Sequence, residues 1–547
     1  MKKWQKAGLL LTVAVAGLVV ALLTPESRGN DYGLVEEKNA LIRFSKPSGF
    51  YDDPFYLKIK APSTEIYYTL DGSEPTRESL HYTQPIYIGD ATENPNVLSE
   101  RTDISCENVI VPDRKIDKCT VVRVRYYDAV SASPVVTASF FVGYNGREGY
   151  GSTPVVSLVT DPKGLFDDAQ GIYVLGDSYG TSADVQDISW TGNYYNRGRE
   201  WERAANLEYF DPRGKILYAS PCGIRIRGNY SRRDPQKSFN LFARKEYGGT
   251  STFRYDFWGT GYYPDVMSLN SGGNDHVGMI RNRMVSDLTK DQCFSTMNYV
   301  RCHVFLNGEY WGAYDLSEKY NAKYISYYYG VTRRNVESVR NWQMEDGISD
   351  MDFAELVSFI QFADMTLEKN YRKCWELIDK QSMLEYYATM IYCARHEDWP
   401  MDNEQFWRVK EQEDSPYGDT KWRYMLFDMD SPGLTADCIS HDTIASVMEI
   451  SDFFRSLCQR PDFREELGAE ILRIGTEVLS ADRVNEYIDV CQSQMVVPMK
   501  LQLARYYNAD ETLFLEATED TRVFFNNRLE AIREILRAYD MLPEIMP

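Results

Sequence analysis

The stretch from His396 to Lys410, HEDWPMDNEQFWRVK, decides how the rest of the chain is read. It follows SMLEYYATMIYCAR, an apolar run at helical spacing that opens at Ser382 with Glu385 three residues on, the pattern of a capping box. A helix ending here delivers Asp398 and Asn403, five residues apart, into one loop. An acid and an amide held together in this way suit a site where the acid accepts a proton and the amide holds a metal. Acidic loops are common, so the pair needs a second element.

That element is TKWRYMLFDMDSPG, from Thr420, which reads as a strand over Trp422–Phe427 running into Asp428-Met429-Asp430 and a turn at Pro432-Gly433. Two carboxylates at i and i+2 beyond a strand end can bracket a cation. The loop matches the H-R-D-x-x-x-x-N spacing of phosphoryl transfer, with Glu397 in place of the Arg. The strand followed by Asp is the arrangement that holds the Mg²⁺ bridging the β- and γ-phosphates. Between His396 and Asp430 there are ten acidic residues against four basic ones. A solvated hairpin would explain the acids, but not the apolar YMLF run beside them.

The third element is basic. In CGIRIRGNYSRRDPQKSFNLFARK, from Cys222 to Lys245, Arg225, Arg227, Arg232, Arg233, Lys237, Arg244 and Lys245 fall on two strands and the loop between them. Alternation puts Arg225 and Arg227 on one strand face, and Lys237 opens the second strand, where its ammonium can reach α- and β-phosphates. Surface Arg and Lys usually only solubilise. In a chain of net charge -21, clustering of this kind points to phosphate.

The same charge excludes nucleic acid and anionic membrane surfaces as partners. The 547 residues are 43% hydrophobic, enough for large cores and about three domains. Residues 1–30 place Lys2, Lys3 and Lys6 before an uncharged apolar run from Ala7 to Leu23, an export signal. A cleaved signal and a retained anchor both fit, so the expected location is the cell envelope or outside, with membrane contact only through this segment. The ten cysteines show no C-x-x-C pair and no His at zinc-finger spacing. Cys106 and Cys119 fit either a short disulfide loop or isolated thiols.

Residues 31–150 read as short strands with turn punctuation, a β-sandwich. At IYYTLDGSEPT, Ile66 to Thr76, a strand ends in the turn dipeptide Asp71-Gly72, and the region is similar to the immunoglobulin-like domain found at the C-terminus of chitobiases. Tyr67 and Tyr68 are expected to pack rather than to form a sugar platform. Residues 151–220 continue the strand pattern, helical periodicity takes over from about 275, and the last hundred residues are mostly amphipathic helix.

Five blocks occur in order: R-G-N-Y-S-R-R-x-x-x-K-S-F, VMSLNSGGNDHVGMIRNRM, VFLNGEYWGAYDLSEKY, the Asp398–Asn403 loop, and KWRYMLFDMDSPG. Together they resemble the CotH family of atypical protein kinases, over about residues 151–540. With the Ig-like sandwich read at 31–150, the expected chain is multidomain: the resemblance implies a β-rich opening at 151–220 and an α+β, distantly protein-kinase-like, two-lobed catalytic domain at 221–547 with a helical C-terminal part. It implies ATP with Mg²⁺ and phosphoryl transfer to Ser or Thr of a partner protein. It makes Asp398 catalytic and Lys237 the phosphate-anchoring lysine, with Asn403, Asp428 and Asp430 on the metal; Arg225, Arg227, Arg232 and Arg281 are further candidates for the nucleotide.

Two features depart from an ordinary kinase. The segment Asp275–Asp291 that should supply a Glu to the strand lysine contains no Glu, and between its terminal residues the only acid is Asp287; Gly223 and Gly228 do not make a G-x-G-x-x-G loop. Arg281, Asn282, Glu318 and Lys319 lie near the expected cleft and read first as structural. The competing reading is an inactive envelope scaffold, or a carbohydrate-binding surface protein led by the N-terminal domain.

Overall fold

The computed structural model describes residues 41–542 apart from 182–186, 342, 345–349, 397–398, 401 and 431–432. The terminal segment 1–30, Glu397 and Asp398 therefore lie outside the described residues. Among the described residues no helix is long and apolar enough to cross a membrane.

From Ile42 to Val142 the chain forms a β-sandwich. Its larger sheet runs in the order Gly49–Tyr51, Val136–Val142, Thr120–Tyr126, Ile66–Thr69, Leu80–His81, and two short ribbons cover it. Val122 and Val124 alternate into a core with Leu57, Ile66, Ile88 and Phe140. Tyr67 stacks beside His81, with ring centroids 5.0 Å apart.

The next region is a closed barrel of seven strands: β1 (Val155–Thr160), β2 (Arg203–Phe210), β3 (Ile216–Arg227), β4 (Ser238–Phe242), β5 (Val266–Asn270), β6 (Tyr299–Leu306) and β7 (Glu309–Ser317). The order is β1-β2-β3-β4-β5-β7-β6, and β6 returns to pair with β1. Every pairing is antiparallel except this last, where Val155–Leu158 run beside His303–Leu306. Alternate residues, among them Leu207, Ile224, Ile226, Phe239, Leu241, Trp311 and Tyr314, fill the interior. The boundary expected at residue 220 falls inside β3, so the segments on its two sides share one barrel.

The sandwich is keyed to the barrel by a second core, in which Phe141 lies 5.4 Å from Phe210 and 5.0 Å from Phe305. Polar contacts frame it. Ser139 and Ser157 hydroxyls meet at 2.8 Å, Ser48 donates to buried Glu208, and Glu309 accepts the backbone N–H groups of Val97, Leu98 and Ser99. The Asp71-Gly72 turn abuts Asn307, so the motif that marks this domain in the sequence also docks it.

Beyond the barrel lie a four-stranded antiparallel sheet and a helical body. The sheet orders Gln343–Met344, β8 (Val336–Arg340), β9 (Gln405–Val409) and β10 (Arg423–Met425). The main helices are α1 (Arg281–Leu288), α2 (Lys380–Tyr392), α3 (Ala481–Tyr506) and α4 (Thr512–Ala538). Helix α2 begins two residues before Ser382, because Asp379 accepts from the Ser382 N–H and acts as the cap. Ser382 Oγ instead accepts from Tyr424 N, and Glu385 from Cys293 N, so the expected capping box becomes two tertiary ties. Helix α3 locks onto the barrel through Gln502, which accepts from Ala313 N at 2.8 Å and donates to Gln236. All ten cysteines are free thiols, Cys106 and Cys119 included.

Candidate functional site

Strand β10 carries the chain through Leu426 and Phe427 to Asp428, whose backbone sits in the left-handed region at φ 60. The turn that follows is gripped by a single amide. Asn282, in the first turn of α1, accepts from Met429 N at 2.6 Å and donates through Nδ2 to Asp430 Oδ1 at 2.8 Å. Asp430 is 8% exposed, and its carboxyl is pushed up first by burial and then by the charge of Asp428 beside it. Gly273 (φ +56) closes the other side: a Cβ there would stand 1.8 Å from Asp430 Oδ2. No ion pair among the described residues reaches Asp428 or Asp430.

Asn403 stands at the same end of the sheet. It lies two residues before Gln405 on β9, which pairs with Met425, the last residue of β10, three residues before Asp428. Its backbone is also left-handed (φ 56), and its N–H donates to Asn341 Oδ1 at 2.9 Å. Upstream, the His396 ring lies 4.1 Å from that of His441. Among the described residues no three His, Cys, Asp or Glu side chains gather as a metal cage. Two carboxylates with an amide nearby are nonetheless oxygen donors of the kind Mg²⁺ takes when phosphates complete its shell.

Between this sheet and the outer face of the barrel runs a narrow crevice lined by Arg227, Ser268, Glu318, Lys319, Arg340 and Gln405. Arg227 donates to Asn270, which in turn donates to Ser317 at 2.6 Å. Glu318 accepts from Asn298 N and Nδ2, both at 2.9 Å, and from Tyr328; burial pushes its carboxyl up to about 7. Arg340 stacks 4.3 Å over Phe427, next to Asp428.

Most of the basic segment goes elsewhere. Lys237 is fully buried, in phase with Phe239 and Leu241, so its side chain enters the barrel end instead of the crevice. There Nζ donates to Asp234 O at 2.8 Å and lies 4.1 Å over Tyr194, and burial lowers the ammonium to about 7. Lys237, expected to reach the α- and β-phosphates, is not among the residues that line the crevice. Arg225 and Arg244 converge on Glu202, whose side chain is 0% exposed; Arg244 binds it through two 3.0 Å hydrogen bonds. Arg232 donates to the carbonyls of Gly228, Tyr194 and Ile226 and organises its own loop. Arg281 turns to Thr521 and Asp520, both on α4, one residue along the helix from Asn282, which faces the acid turn. Of the candidate nucleotide residues, Arg227 alone lines the crevice. Asp287, the one acid within α1, accepts from Tyr487 at 2.6 Å and serves α3.

The site is therefore an acid turn and an amide at one sheet edge, facing a barrel wall with one arginine. The family described as CotH kinase protein matches residues 224–532, more than half of the chain, and the family described as Fn3 associated matches residues 55–140. This chain belongs to the CotH kinase family and carries an N-terminal Ig-like, β-rich domain. No curated protein matches it.

Proposed function

We propose that this protein is an exported kinase that transfers the γ-phosphoryl group of ATP to Ser or Thr of a partner protein. Family membership supports the reaction class, and the observation that carries the reading is the Asp428–Asp430 turn held by Asn282 just beyond β10, at the sheet end from which Asn403 enters β9. Asn403, Asp428 and Asp430 would hold Mg²⁺, which when bound supplies positive charge against the phosphates. Asp398, outside the described residues, is assigned by its spacing to orient the acceptor hydroxyl and take its proton. Arg227 faces the crevice and offers a fixed guanidinium to phosphate oxygens.

One observation favours a second reading, a family member that keeps the fold without turnover: Lys237 is enclosed and absent from the crevice. The deciding experiment combines thermal stabilisation by ATP with Mg²⁺ and labelled-phosphate transfer, for wild type, Asp398→Ala and Asp428→Ala. Nucleotide-dependent stabilisation with transfer lost in both variants supports the kinase. Stabilisation without transfer to any Ser-rich acceptor supports the scaffold. Glycan capture by residues 31–150 would instead favour a carbohydrate-binding surface protein.

A further inference from the structure

Helix α1 has no Glu to pair with a strand lysine, and Lys237 is directed into the barrel end, so the usual tie between a kinase helix and its phosphates is missing. A different tie leaves the same helix. Both ends of the Asn282 amide are used on one turn, the oxygen on Met429 N and the nitrogen on the Asp430 carboxylate. An amide is the side chain that can accept and donate from one short, planar group.

The amide is itself held rigidly. Asp275 Oδ2 caps the helix by accepting from Ile280 N at 2.7 Å and Arg281 N at 2.8 Å. Met284 and Val285 are fully buried, and Arg283, Asp287 and Tyr487 join the far end to α3. On the opposite side, Gly273 leaves no room for a Cβ against Asp430, so the carboxylate is confined between a backbone wall and the amide. A non-glycine residue in the left-handed region, as Asp428 is, persists where its surroundings hold it there.

We propose that Asn282 is the positioning residue of the metal-holding turn, fixing the Met429 backbone and the Asp430 carboxylate and through them the placement of Asp428, with Gly273 as the wall against which it works. The proposal rests on the kinase reading for the identity of the nucleotide and the Mg²⁺. Asn282 takes the place of the missing helix glutamate, with one difference: it connects α1 to the metal side of the site and not to a lysine.

The test uses the full chain and two variants, Asn282→Leu, which removes both contacts at similar volume, and Gly273→Ala, which intrudes on Asp430 and leaves Asn282 intact. Binding of Mn²⁺ alone is read by electron paramagnetic resonance, and the Mg²⁺ dependence of phosphate transfer is measured at saturating ATP. Each variant should raise the half-saturating metal concentration about 10- to 100-fold, the range seen when groups that orient metal ligands are removed. The metal-free unfolding temperature should stay within a few degrees, and the KM for ATP at saturating Mg²⁺ within about twofold, which a merely structural loss would not reproduce. A folded Asn282→Leu protein with unchanged metal half-saturation overturns the proposal; if that variant does not fold, unchanged half-saturation in Gly273→Ala does so. Wild type that binds Mn²⁺ yet transfers no phosphate defeats the kinase reading alone, and the positioning role then stands or falls on the Mn²⁺ shift. Wild type that binds no Mn²⁺, with or without ATP, defeats both.

Discussion

The segment from Cys222 to Lys245 and the turn from Asp428 to Asp430 are the two most charged features near the crevice, and the fold treats them in opposite ways. In the first, charge is neutralised locally: Glu202 takes Arg225 and Arg244, Glu107 takes Arg233, backbone carbonyls take Arg232, and Lys237 is enclosed. In the second, two carboxylates stand together with an amide and a glycine for neighbours and no ion pair among the described residues. Charge that the fold pairs internally is part of the scaffold. Charge left in excess beside a crevice is what a cation can use.

Breaking the first region should cost the most. Glu202→Ala leaves two half-buried guanidiniums without their shared carboxylate and should lower unfolding stability by about 3 kcal/mol, read from urea denaturation. The metal half-saturation should not move. A loss of metal response with stability intact would reverse the roles assigned to the two regions.

Glu208 sharpens the comparison, as a buried carboxyl with a hydroxyl donor and no cation. Burial raises it to about 7, and its Oε2 has no hydrogen-bond partner. The folded protein therefore holds a proton that the unfolded chain releases above its ordinary value of 4.5. Its contribution is complete below that value and fades as pH rises through about 7, a loss of at most about 3 kcal/mol. Glu208→Gln should flatten the stability profile between pH 5 and 8 and be more stable than wild type at pH 8, by about 2 kcal/mol once relaxation of the seam is allowed for. Parallel profiles for the two proteins would show that Glu208 does not titrate there.

The smallest effects come from two arginines on one strand face. Arg227→Met should weaken nucleotide binding about tenfold, roughly 1.4 kcal/mol, without changing the unfolding temperature. Arg225→Met should cost about 1 kcal/mol of stability and leave nucleotide binding alone. Isothermal titration with ATP and Mg²⁺, run beside thermal unfolding, separates them.

Much of this was legible in the chain. Period-two alternation placed the strands of sandwich and barrel, and the Asp-x-Asp beyond an apolar strand marked the turn. Lys237 shows why residue type alone misleads: it lies in phase with Phe239 and Leu241, and that parity fixes its side chain inside the barrel. Arg225 and Arg227 alternate as expected, but their different partners, Glu202 just before the neighbouring strand β2 and Asn270 on β5, lie 23 and 43 residues away, where no local pattern reveals them. Asn282 was visible as a residue near the cleft. Its role was not, because an Asn in the first turn of a helix reads as an ordinary surface or capping residue, and the Met429 and Asp430 contacts span 147 and 148 residues. The α2 cap moved from Ser382 to Asp379 for a similar reason: Tyr424 N on strand β10 takes the Ser382 hydroxyl as its acceptor.

The closing pairing of the barrel also sets an order of assembly. Val155 cannot find His303 until the chain as far as β6 has been made, so β1 keeps an open edge until β6 emerges. Long-range pairings of this kind form late and slowly. The sandwich, finished by Val142, is complete well before that, and its Phe141 face is ready to shelter Phe210 and Phe305 as they emerge. In this protein the N-terminal domain would act during folding as a built-in template for the barrel that follows it.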